Sequence, residues 1–466
     1  MKKNLTKDMT TGSAWKHILN FMLPLMCGLI FQQFYNMVDT IVVGKYLGVN
    51  ALAGVGSTGS INFLVLGFCS GVCTGFAIPI AQKFGQKDYV SLRKFVANTA
   101  YLSIGFSIVI TLATCLPCKE ILMLMNTKED FFQEAYSYIF VIFLGIPAIV
   151  LYNVLSGIIR SLGDSRSPLY FLLLSSAMNI VLDIVSVQVL HMGVAGPAWA
   201  TVISQGVSGV CCLVYMMKKF DILKMSREET RPNTHYMKQL CAVGIPMGLQ
   251  YSITAIGSIV MQTVVNGLGT VYVASVTTGS KVSQLLCCPM DALGATIATY
   301  TGQNIGARQL PRVQEGRKVC TIIGTIYSVF AFIVLYLFGG QIASLFLDQS
   351  EPAITAQVLE NAKQFLRVNS ALYIPLILIY VYRFTIQGLG FSKAAVFAGV
   401  FEMAARCIMG FVIVPMFGFT AVCFSNPVAW IAADIFLIPC YIHIMKKLEK
   451  QFAPMPTVSE PEAIAQ

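Results

Sequence analysis

The chain is 466 residues long, 56% hydrophobic and only 12% charged, with a formal net charge of +10 and a mean hydropathy of +0.70. A soluble protein carries about twice that share of charge. The composition excludes a soluble enzyme or binding module and describes an all-α polytopic membrane protein.

The basic start MKKNLTK leads through a polar stretch into a first apolar segment long enough to be a true span, so no cleavable signal is expected. Twelve apolar runs separated by short polar breaks follow, at 16–42, 51–81, 92–116, 132–158, 168–190, 194–217, 239–266, 271–302, 318–339, 363–387, 394–415 and 420–445. Lipid leaves no partner for an open backbone, so each is expected to be a helix. The longest internal polar stretch, 218–238, divides six spans from six, giving one lobe over 1–217 and a second over 239–447. The tail 448–466 is polar, holds three prolines and is expected to be disordered. The 14 cysteines lie scattered in apolar runs as small core hydrophobes, and Cys115-x-x-Cys118 has no second Cys/His pair to make a zinc site. The four histidines are dispersed, so neither a cofactor nor a catalytic cluster is expected.

Of the 32 Lys and Arg residues, 24 fall in one set of loops and termini and 5 in the opposite set. The basic side faces the cytoplasm, so both termini are expected there, in a plasma-membrane protein. That bias accounts for the net positive charge without a nucleic-acid partner. The remaining three, Lys281, Arg383 and Arg406, lie inside spans.

The halves answer each other in order. LPL (23–25) matches IPM (245–247), AQKFGQK (81–87) matches GQNIGAR (302–308), GIP (145–147) matches YIP (373–375), and LGDSR (162–166) matches LGFSK (389–393). With an even number of spans per repeat, both halves point the same way. Their pseudo-symmetry axis then runs along the membrane normal, with a substrate cavity between them.

Charges inside the spans are unevenly placed. The first half holds Asp39, in YNMVDTIVVGKYLG, and Asp183, in MNIVLDI, with no Lys or Arg within a span. The second half sets Asp291, Glu402 and Asp434 against Lys281, Arg383 and Arg406, and Glu402 and Arg406 are spaced for an ion pair on one helix. An intramembrane carboxylate needs a partner or a job. With no fixed cation, Asp39 and Asp183 need a mobile one: a proton, a sodium ion or a cationic substrate. Asn179 shares a helix face with Asp183, while Asn153 and Thr201 sit on flanking spans. These oxygens suit a Na+ site or a proton carrier alike. Tyr35 and Asn36 precede Asp39 closely enough to line its face, and Pro24 on the same span permits a bend.

LPL…QQFYNMVDTIVVGKYLG, GIIRSLGDSRSP, MNIVLD and GVAGPAWAT together resemble the multidrug and toxic compound extrusion (MATE) family, in its prokaryotic branch of DNA-damage-inducible and staphylococcal-type exporters. The resemblance runs through all twelve spans. It implies two six-helix bundles in a V, alternating access, and export of organic cations driven by inward Na+ or H+. On matching positions, the family's N-lobe cation site falls on Asp39, Asn179, Asp183 and Thr201, with Asn153 close by. Some branches carry an acid in span seven, but IPMGLQYSITAIG has none, so coupling through the N lobe is expected. The expected protein is a monomeric cation-coupled antiporter for small organic cations, not an enzyme. The alternative is a flippase for lipids or lipid-linked saccharides, of the same broader superfamily.

Overall fold

The computed structural model describes residues 6–125, 127–347 and 352–452. Among them, the first half contains α1 (Ala14–Ser57), α2 (Gly59–Gly85), α3 (Tyr89–Cys115), α4 (Cys118–Leu124), α5 (Phe132–Leu144), α6 (Ile146–Ser161), α7 (Arg166–Ile184) and α8 (Ala195–Lys219). The second contains α9 (Thr234–Leu268), α10 (Thr270–Gly306), α11 (Leu310–Ser344), α12 (Pro352–Ala371), α13 (Tyr373–Gly388), α14 (Ser392–Ile408), α15 (Val414–Phe417) and α16 (Phe419–Phe452). The expected spans fall on helices or bent helix pairs, except that the second, 51–81, begins in the end of α1 and runs mainly along α2.

The departures from uniform spans recur in both halves. GIP and YIP mark bends, 45° where α5 meets α6 and 50° where α12 meets α13. A proline in the first turn of the second helix supplies no N–H to the ladder before it, so the helix restarts there. Gly48 (φ +87°) breaks α1 and Gly269 (φ +114°) separates α9 from α10, both in backbone regions that an L side chain rarely adopts. Single π-helical turns, Val185–Val189 and Met409–Ile413, follow α7 and α14.

Nine helices among the described residues are long and apolar enough to cross a membrane alone, and the two bent pairs bring the number to eleven. The twelfth span is α10, 37 residues long but rich in Ser, Thr and Gly and carrying Lys281 and Asp291. Its polarity is tolerable because α1, α2, α11, α12 and α13 pack around it.

The boundary of the tail also differs from the sequence reading. The tail was expected to begin at 448, but α16 continues to Phe452: Leu448 is buried in the C-lobe core and the Phe452 ring lies 5.8 Å from the Arg308 guanidinium. Residues 453–466 lie outside the described residues. The inter-lobe segment is docked on α3. Arg93 donates to both Glu229 carboxylate oxygens (2.9 and 2.7 Å), and the Asn233 amide donates to Asn98 Oδ1 (2.8 Å).

The lobes meet at the end of the bundle that holds both termini. There the repeat motif AQKFGQK/GQNIGAR forms a reciprocal clasp. Gln82 Nε2 donates to the Gly388 carbonyl at the end of α13 (3.0 Å), and Gln303 Nε2 donates to the matching Ser161 carbonyl at the end of α6 (2.9 Å). α2 and α10 cross so closely that a Cβ on Gly85 would stand 1.8 Å from the Gln303 carbonyl oxygen, and one on Gly306 would stand 1.9 Å from that of Gln82. The interface continues through Gly71 and Gly75 of α2 against Gly244 and Gly248 of α9. The N-terminal arm threads the clasp: the Lys7 amide donates to the Leu162 carbonyl (3.0 Å), the Met9 amide donates to Gln303 Oε1 (2.9 Å), and Arg312 donates to the Met9 and Gly12 carbonyls (2.9 Å each). Met9 is 1% exposed.

Gly85→Val cannot close this crossing. Its amides at 300–306 are expected to exchange with deuterium roughly tenfold faster than in wild type; unchanged exchange would show that the crossing is not a tight contact. At the docked segment, Arg93 and the Ser226 amide hold the Glu229 carboxyl down to about 2. A depressed carboxylate contributes stability above its unfolded value, about 4.3, that is lost as pH falls toward its folded one. The gap in apparent melting temperature between wild type and Glu229→Gln is therefore expected to be full at pH 6 and to shrink between pH 4 and 2.

Candidate functional site

Asp39 lies on α1 toward the end remote from the clasp, and Asp183 lies in the last turn of α7. The π turn after Asp183 carries Ser186, whose hydroxyl donates to the Asp183 carbonyl (3.0 Å). α8 begins against that turn at Gly196, where a Cβ would stand 2.6 Å from Ser186 Oγ. Local unwinding of this kind commonly marks functional positions in helices.

The two carboxyl groups lie close enough to act on each other directly. Asp183 is 0% exposed and Asn179 2%. Asp39 Oδ1, both Asp183 carboxylate oxygens and Asn179 Oδ1 are buried without a hydrogen-bond donor, while Asn179 Nδ2 donates to Thr201 Oγ1 (3.3 Å). Four orphaned oxygens beside a threonine hydroxyl form a donor set that fits a sodium ion, and two facing carboxyls equally fit a shared proton.

Of the sequence candidates, Asp39, Asp183, Asn179 and Thr201 thus come together, with Tyr35 buried beside Asp39. Asn36 does not join them: it is exposed, and its carbonyl accepts the Thr40 hydroxyl (3.0 Å). Asn153 donates its amide to the Ile149 carbonyl of its own helix (2.9 Å), and no hydrogen bond joins it to the carboxyls. Pro24 lies within continuous α1. Sequence reasoning missed Tyr138 of α5, which lies within electrostatic range of Asp39, Asp183 and Tyr35. In YSYIFVIF it reads as one more apolar-face aromatic, and only the packing of α5 on α1 distinguishes it.

One part of the charge bookkeeping needs correction. Arg160 belongs to the last turn of α6 rather than to a loop, and it is half-buried near Tyr152, Cys73 and Cys212. The N lobe therefore does contain a helical cation, but it does not act on the carboxyl pair.

The C lobe neutralises itself. Glu402 pairs with Arg406 as expected, at 3.8 Å, and more closely with Arg383 on α13, which takes its other oxygen. Asp434 of α16 completes the group, within range of Arg383 and Glu402. Asp291 stands apart beside Tyr380 and Tyr251 with an exposed side chain, and Lys281 is also exposed. Glu402→Gln strands two buried guanidinium groups, at an expected cost of about 3–5 kcal/mol. Its apparent melting temperature in detergent should fall well below wild type, whereas that of Asp183→Asn should not; equal melting of Glu402→Gln and wild type would refute the network.

Two pseudo-symmetric six-span bundles joined at one end, with an unpaired carboxyl pair inside one of them, define a multi-pass membrane transporter of parallel-repeat build. The MatE family model matches residues 24–185 and 246–412, one match in each half. The chain belongs to that family, the one its motifs resemble. It is 28% identical over 366 residues to the probable multidrug resistance protein YoeA of Bacillus subtilis, covering 76% of this chain and 78% of the relative. It is 22% identical over 420 residues to the multidrug export protein MepA of Staphylococcus saprophyticus, covering 90% and 91%. In fold, it matches a solved outward-facing conformation of a multidrug resistance MATE family transporter of the MOP superfamily with a TM-score of 0.87, at 22% identity, covering 96% of this chain and 99% of that one.

Proposed function

We propose that the protein is a cation-coupled antiporter that exports organic cations across the plasma membrane by alternating access, with Na+ or H+ as the returning ion. The observation that carries this reading is the Asp39–Asp183 pair, whose orphaned oxygens face each other with no fixed cation acting on them. The multidrug names of YoeA and MepA support the substrate class.

In this mechanism the Lys/Arg bias puts the clasp on the cytoplasmic side, so a closed clasp is the outward-facing state. The ion enters between Asp39 and Asp183 and neutralises the charge that attracts a cationic drug. The membrane potential adds about 2.3 kcal/mol per charge per 100 mV to inward ion movement. α1 links the two events. Its first turns, at Ala14, Ile18 and Phe21, pack in the C-lobe core beside the clasp, while Val43, beyond Asp39, packs on Ala51 and Val194. A change of charge at Asp39 therefore acts on a helix whose other end helps hold the lobes together.

A flippase for anionic lipid carriers would favour a basic cavity. The acidic N-lobe pair and the self-neutralised C-lobe group weigh against it.

Proteoliposomes given a Na+ gradient or a pH gradient separately test the proposal with a fluorescent organic cation. Wild type is expected to respond to one gradient, and Asp39→Asn and Asp183→Asn to lose at least about tenfold of that rate, the loss of roughly 1.4 kcal/mol of coupling. Gradient-driven transport that survives both substitutions would reject the N-lobe site.

A further inference from the structure

A second site lies outside the carboxyl pair. A crevice of about 610 Å³ opens between Ala242 and Val243 of α9, the turn at Gly390 and Phe391, and Lys393, Ala394 and Phe397 of α14, with Phe436 of α16 also lining it. That volume lies within the range of small-molecule sites. Except for Lys393 its lining is apolar. Its wall faces out of the bundle: Phe397 is 58% exposed, and its ring lies 6.3 Å from that of Phe436. On a membrane-spanning helix, such a surface meets acyl chains.

The mouth of the crevice, at the clasp end, is cationic. Lys393 is exposed there, Lys238 is exposed one helical turn before Ala242 on the same face of α9, and Lys447 places Nζ 5.9 Å from the Phe391 ring. None of the three takes part in an ion pair among the described residues. An apolar slot beneath unpaired lysines at a membrane boundary is complementary to a lipid with a net negative headgroup, because a zwitterionic lipid brings a cation of its own to the same place.

We propose that this crevice binds an anionic phospholipid, with an acyl chain against Phe397 and Phe436 and the phosphate between Lys238 and Lys393. The bound lipid buttresses the α13–α14 turn. That turn includes Gly390, whose Cβ position lies 3.3 Å from Gln82 Nε2, and it follows Gly388, whose carbonyl accepts the Gln82 hydrogen bond. An occupied crevice therefore supports the closed clasp.

Native mass spectrometry of the full chain from micelles doped equally with phosphatidylglycerol and phosphatidylcholine tests this. Wild type is expected to retain phosphatidylglycerol about tenfold over phosphatidylcholine, two lysines contributing a several-fold preference each. Lys238→Gln/Lys393→Gln should remove the preference by removing charge. Ala394→Trp should remove it by filling the slot with all three lysines in place. Equal retention of the two lipids by wild type overturns the proposal, and so does a preference that survives either variant when its lipid-free melting temperature equals that of wild type. Survival in Ala394→Trp would assign the preference to surface charge alone.

Discussion

Two carboxyl groups that meet in a low-dielectric interior without a fixed cation cannot rest as two bare charges. Asp39 and Asp183 are in that position, and their surroundings follow from it. Asn179 and Thr201 present oxygens but no cation, and the π turn after Asp183 fixes where α7 ends. A buried cation at this place would satisfy the pair permanently and leave nothing for a mobile ion to do. Arg160 is consistent with that constraint: it lies in the N lobe but is surrounded by Tyr152 and cysteines, away from the acids.

The second constraint is steric and belongs to the duplicated chain. Gln82 and Gln303 each reach across the interface to the last carbonyls of the opposing bent helix, and Gly85 and Gly306 leave the crossing free of side chains. Each contact has its counterpart in the other half, so the clasp is a pseudo-twofold junction. The N-terminal arm breaks the symmetry. The segment before α9 is docked on α3 by Arg93 much as the arm is docked by Arg312, but the arm also joins both lobes through backbone groups of Lys7 and Met9. α1 thus carries Asp39 of the carboxyl pair toward one end and follows the seal of the clasp at the other.

Much of this was legible in the sequence, and for identifiable reasons. Span positions follow from apolar run length, which lipid enforces strictly. The GIP/YIP and AQKFGQK/GQNIGAR motifs were visible because the duplication repeats them, but the bends and the clasp that they form were not. Asp39 and Asp183 stood out as acids without cations. Packing between distant segments was not legible. Glu402 has a tempting partner one turn away in Arg406, but Arg383 reaches it from another helix, and sequence spacing ranks only the local choice. Tyr138 was hidden among aromatics for the same reason, and Asn36 was overcounted because, three residues before Asp39, it falls on the exposed edge of that face, whereas Tyr35 falls on the buried one. LGDSR has a structural part: Asp164 caps α7 by accepting from the Arg166 and Ser167 amides (2.9 and 3.1 Å), and its counterpart in LGFSK is Phe391.

The two lobes share a backbone plan and differ in chemistry. Two residues before the π turn the first half has Asp183, and the second, at the same place before its own π turn, has Cys407. Glu402 and Asp434 of the C lobe instead sit where Arg383 and Arg406 reach them, and these four close on themselves as a structural group, with Asp291 apart beside Tyr380. A symmetric pair of ion sites would give both lobes the same response to a change in charge. The carboxyl pair belongs to the first half alone, and one of its members, Asp39, lies on the helix that also packs beside the clasp.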